Sequence, residues 1–68
     1  MSLTQKLKTR RVAGMIQEWF RVGDKTYVHS RPDPNSFYLP KPDNTLRELR
    51  NPVDILIAEL VYGALYCH

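Results

Sequence analysis

The side chains that could do chemistry are few and gather in two stretches. His29, Ser30, Asp33 and Ser36 lie close together, and Cys67 and His68 stand side by side. Nucleophilic catalysis by serine needs a histidine and a carboxylate in one geometry, with an elbow or glycine-rich loop to present the nucleophile. Gly14, Gly23 and Gly63 are too scattered to build such a loop. Serine, histidine and aspartate near two prolines are the ordinary contents of a turn. Metal chemistry is no better served. Structural zinc wants four closed ligands, and His29, Cys67 and His68 show neither Cys-x-x-Cys nor His-x-x-x-His spacing. The sequence therefore predicts no catalytic residue, no metal site, no cofactor and no small-molecule substrate. In this reading His29 is a strand residue facing water.

The other chemistry on offer is charge. Lys6, Lys8, Arg10 and Arg11 precede the first acid, Glu18, and the net charge is +3. The distribution is uneven: residues 1–31 carry seven basic and two acidic side chains, residues 32–68 three and five. On a helix, Lys6 and Arg10 share a face while Lys8 and Arg11 lie on others, an arrangement that touches phosphates without a row for reading bases. Arg31, beside the aromatic Tyr27 and Tyr38, would extend that contact. Nucleic-acid binding through Lys6, Lys8, Arg10, Arg11 and Arg31 is thus the alternative functional reading. A helix-turn-helix over residues 45–67 fails, because no Lys, Arg, Asn or Gln follows Asn51 to read a groove.

The elements that must position these residues read as follows. Ser2-Leu3-Thr4-Gln5 fits a capping box, and Val12, Met15, Ile16, Trp19 and Phe20 recur at spacings of three and four, so a helix is expected to about residue 20. Gly14 weakens its middle by about 1 kcal/mol relative to alanine. Val22-Gly23-Asp24-Lys25 is a tight turn, residues 25–30 a strand, Pro32-Asp33-Pro34-Asn35 a turn, and residues 36–39 the returning strand, ended by Pro40 and Pro42. Thr45-Leu46-Arg47-Glu48 is a second capping box, opening a short helix to Arg50. Asn51-Pro52-Val53-Asp54 places a cap, a first-position proline and an acid in the favoured order for a last helix. The expected fold is one small α+β domain over residues 1–68: N-terminal helix, two- to three-stranded antiparallel ribbon, short helix and apolar C-terminal helix, in the order α-β-β-α.

That last helix carries apolar residues on two sides. At 100° per residue one stripe collects Val53, Leu56, Ile57, Leu60, Val61, Ala64 and Cys67, and the opposite one collects Ile55, Ala58, Tyr62, Leu65 and Tyr66. The first reads as the core face and the second as an interface, the alternative being a central helix with both stripes covered by the ribbon and the first helix. A chain of 68 residues has a core worth only about 3–5 kcal/mol and needs a staple. One cysteine excludes an internal disulfide and fits a reducing compartment, so oligomerisation is the favoured remedy. Residues 53–67 are too short and too acidic for a membrane span, and the basic, polar N-terminus has no leader-like apolar segment. The expectation is a cytoplasmic, non-enzymatic binding or regulatory protein that acts by surface contact with a larger macromolecule. It would be an inhibitor or similar protein-binding partner, homodimeric through Ile55, Ala58, Tyr62, Leu65 and Tyr66, without membrane association.

Overall fold

Two adjacent residues decide the architecture. Ala13 and Gly14 both take positive φ, 51° and 77°, the pattern of a type I′ hairpin turn, whose twist matches that of paired strands. The chain on either side therefore folds back as a ribbon: β1 (Thr4–Val12) pairs antiparallel with β2 (Met15–Val22), from Val12 opposite Met15 to Thr4 opposite Val22. In the computed structural model, which describes residues 3–31 and 36–66, three more strands follow. They are β3 (Lys25–Arg31), β4 (Phe37–Pro40) and β5 (Leu46–Glu48), and one helix, α1 (Pro52–Tyr66), closes the chain. Each strand pairs only with its neighbour in sequence, giving a five-stranded antiparallel meander in the order β1-β2-β3-β4-β5.

This corrects the expected α-β-β-α order to β-β-β-β-β-α. The N-terminal helix expected to about residue 20 is the β1–β2 hairpin. The residues that mimic helical spacing alternate on a sheet instead: Ile16, Glu18, Phe20 and Val22 on one face, Met15, Gln17, Trp19 and Arg21 on the other. The short helix expected from Thr45 to Arg50 is β5. Its apparent cap works as a turn: Thr45 donates from its amide and its hydroxyl to Asp43 Oδ1, at 3.2 and 2.6 Å, and Asn44 takes φ 70°. Asp and Asn are the residues that tolerate such geometry. The turn expected at residues 32–35 lies outside the described residues, as do Ser2, Cys67 and His68.

Other elements stand where the sequence puts them. Gly23 turns β2 into β3 with φ 63°. Asn51 caps α1, its Oδ1 accepting from the amides of Val53 and Asp54 at 2.9 and 3.4 Å, and Pro52 needs no donor at the first helical position. Pro40 closes β4 beyond the last β3 pair, Val28 opposite Tyr38, so its missing N–H costs the β3–β4 ladder nothing.

The core lies between α1 and one face of the sheet. Phe20, Tyr27, Phe37, Leu49 and Ala58 are buried there, with Val22, Leu39, Ile55, Val61, Tyr62, Leu65 and Tyr66 packed against them. Phe20 sits at the centre, within 5.8–6.4 Å (ring centroids) of Tyr27, Phe37, Tyr62 and Tyr66. Tilted and edge-on pairs of this kind add to the area they bury. Across the opposite face Lys8, Trp19, Val28, Tyr38 and Glu48 stand in register, one from each strand.

Candidate functional site

A polar cluster lies beneath α1, with Arg31 at its exposed margin. Glu18 and His29 sit directly opposite each other on β2 and β3, on the face that α1 covers, and both are buried. Tyr62 reaches down from α1 and donates to Glu18 Oε1 at 2.6 Å, while Arg31 Nε lies 3.2 Å from the same oxygen. His29 Nδ1 is 3.5 Å from Glu18 Oε1, and neither ring nitrogen of His29 makes a hydrogen bond among the described residues. The imidazole is held by rings instead, 4.1 Å from Tyr62 and 5.1 Å from Phe37. A buried carboxylate is costly unless neutralised and hydrogen-bonded, and Arg31 with Tyr62 meets that need for Glu18. Burial, and then the bond to Glu18, push the Tyr62 hydroxyl above the usual tyrosine range.

Carboxylate, imidazole and phenol together are the groups of acid–base chemistry, yet here they fasten a helix to a sheet. The clefts along Leu39–Asp54, Lys25–Pro40 and Arg11–Ile16 are lined by other residues. His29 thus faces the core, where the sequence put it in water, and Ser30 is buried beside it. The sequence missed the cluster because Glu18 and Tyr62 are 44 positions apart. No group of three or more His, Cys, Asp or Glu is placed to hold a metal among the described residues, and no helix there is long and apolar enough to cross a membrane.

The two stripes of α1 largely exchange their expected roles, Val61 of the first stripe alone among its large residues staying packed on the core. Ile55, Ala58, Tyr62, Leu65 and Tyr66 pack on the sheet, with Ala58 wholly buried, so they belong to the core. Tyr62 stacks on Tyr66 at 4.9 Å, and Tyr66 donates to the Trp19 carbonyl at 3.2 Å. Those two hydroxyls are the physical reason: they find polar partners on the sheet, the buried Glu18 and the Trp19 carbonyl. The outward side is then the stripe read as core: Val53, Leu56, Ile57 and Leu60 are 64%, 57%, 37% and 66% exposed. Gly63 and Ala64 continue it, and the helix's two acids, Asp54 and Glu59, stand at its margins. Asp54 is occupied by Lys25 at 3.7 Å.

The expected nucleic-acid residues are partly brought together. Lys6, Lys8, Arg10 and Arg11 are all exposed on β1, the sheet's edge. A bulge at Leu7 separates them, since Lys6 pairs with Phe20 but Lys8 with Trp19. Strict alternation would set Lys6, Lys8 and Arg10 on one face. The bulge leaves Lys6 on the α1 side, 4.8 Å over the Tyr66 ring, and Lys8 on the other, 4.3 Å over Trp19. Arg10 follows Lys8. Arg11 falls on the α1 side in a row with Ile16 and Arg31, and Arg31 is engaged by Glu18. Comparison with protein families, with characterised proteins and with solved structures found no match for this chain.

Proposed function

We propose that this chain is a non-enzymatic binding protein that acts by surface contact and pairs with a second copy of itself through the outward side of α1. The observation that carries the reading is the exposure of Val53, Leu56, Ile57 and Leu60 along one continuous side of a helix whose other side is already in the core. A helix apolar all round belongs inside something, and a contiguous apolar patch marks a contact site.

A second copy fits this side for three reasons. No charged residue interrupts it, so two copies meet without repulsion. The large side chains lie toward its start and Gly63 and Ala64 toward its end, so an antiparallel partner related by a two-fold axis sets large against small. The exposed portions of the four large side chains amount to roughly two whole side chains per copy, about 7–13 kcal/mol for the pair. That stands against an association cost of about 4–15 kcal/mol, which favours a reversible dimer over an obligate one.

Sedimentation equilibrium over a hundredfold range of concentration tests the reading. The mass is expected to rise from 8.0 kDa toward twice that value. Leu60→Glu, at an exposed position, is expected to hold the chain at the monomer mass with unchanged circular dichroism. A wild-type chain that keeps the monomer mass at the highest concentration overturns it.

A further inference from the structure

We propose that the β1 edge of the sheet, led by the β1–β2 turn, enters a groove of double-stranded nucleic acid, its cations reaching the phosphates of both walls. The proposal shares no residue with the outward side of α1, so the two stand or fall separately.

Charge is the first support. Over residues 3–22 the only acid is Glu18, and it is buried under α1 with its oxygen taken by Tyr62 and Arg31. What the ribbon shows to solvent is therefore cationic: Lys6, Lys8, Arg10 and Arg11. Arg10 and Arg11 make no hydrogen bond or ion pair among the described residues, so their guanidinium forks are open to a bidentate phosphate contact.

Shape is the second. A flat acidic surface would ask for cations on one face, and the bulge at Leu7 divides them between two: Lys6 and Arg11 toward α1, Lys8 and Arg10 away from it. Since β2 is paired with β3 from Ile16 to Val22, the part that can enter a groove is the β1 edge with the β1–β2 turn. The major groove of a duplex is about 12 Å wide, and an edge charged on both faces meets phosphates on either side. The tip is narrow and uncharged. Ala13 and Gly14 form a two-residue turn between Val12 and Met15, which are 39% and 40% exposed. Small apolar tips of this kind can lie against base edges or wedge at a base step.

The competing occupant is an acidic peptide added as a strand along β1. Cationic side chains and bulges are devices that discourage such edge pairing, and the bulge at Leu7 breaks the ladder a peptide would have to follow. Duplex nucleic acid needs no ladder.

Fluorescence anisotropy decides between them, using a labelled DNA duplex of about 20 base pairs, its single strand, and polyglutamate as competitor. The duplex is expected to bind more tightly than its single strand, with log K falling against log salt at a slope of about −2 to −4, as two to four phosphates are neutralised. Arg10→Glu combined with Arg11→Glu is expected to lower duplex affinity about 30-fold or more at low salt. Both positions are exposed, so circular dichroism and the melting temperature should be kept. Lys41→Glu, on the β4–β5 turn, should change affinity less than about twofold. No duplex binding at low salt, a slope near zero, a single strand bound as well as the duplex, or wild-type affinity in the double variant overturns the proposal. Polyglutamate displacing the duplex at equal charge concentration does so in favour of the acidic peptide.

Discussion

Ala13 holds a left-handed conformation that alanine adopts at a cost of roughly 1–2 kcal/mol, and nothing but the hairpin requires it. Asparagine tolerates that geometry and is the preferred partner of a following glycine. Ala13→Asn is therefore expected to stabilise the protein by about 0.5–1 kcal/mol in urea denaturation. Gly14→Val is expected to destabilise it by about 1–2 kcal/mol, although a Cβ at Gly14 would meet nothing within 4 Å. Equal midpoints for all three proteins would show that the turn does not set the ribbon. The same pair of residues explains why the hairpin was hard to read in the sequence. Ala-Gly carries none of the Asn-Gly or Asp-Gly signal, and Gly14 in a run of helical spacing passes for a weak point in a helix. Strand alternation was equally masked. Glu18 occupies an inward position between Ile16 and Phe20, and its partner Tyr62 is invisible from that stretch. Gly23 and Asn51, by contrast, act where their chemistry is local: a glycine in a tight turn and a side-chain oxygen at a helix start.

At the level of elements, α1 is legible in its bounds and not in its orientation. Its start, its proline and its two apolar stripes were legible, because capping and periodicity are properties of the segment alone. Which stripe meets the sheet was not, because both are apolar and the choice depends on what the sheet offers. Tyr62 and Tyr66 settle it through Glu18 and the Trp19 carbonyl. Tyr62→Phe keeps the ring contacts and removes the bond to a buried carboxylate, so a loss of about 1.5–3 kcal/mol is expected. Tyr66→Phe, which gives up a longer bond to a neutral carbonyl, should lose about 0.5–1.5 kcal/mol. Urea midpoints check both, and a Tyr62→Phe protein as stable as wild type would mean that the hydroxyl contributes no net stability. The cations of β1 were legible as residues and not as a surface. Their division between two faces depends on one bulge at Leu7, which the sequence does not announce.

For the whole molecule, three of the four tyrosines hold the core together, and their ionisation is linked to folding. Tyr27, Tyr62 and Tyr66 all titrate above the ordinary value of 10.0, chiefly because burial disfavours the phenolate. In the unfolded chain the same groups lose their protons near pH 10. Between the two values the unfolded state binds fewer protons, so stability falls as pH rises. The contribution is complete below about pH 9 and is lost progressively above 10. Urea midpoints between pH 8 and 11, read beside tyrosinate absorbance, should show the midpoint dropping as a late-titrating class appears; a flat midpoint through pH 11 would contradict it. The position of α1 in the chain also has a consequence for how the molecule is made. The five strands are all translated before the helix that covers them, and each pairs with a neighbour already synthesised, which favours rapid local folding. Until α1 emerges, Phe20, Tyr27 and Phe37 form a bare aromatic face and Glu18 lacks its tyrosine. The nascent sheet passes through an interval in which it is most open to chaperones, to proteases and to the wrong partner.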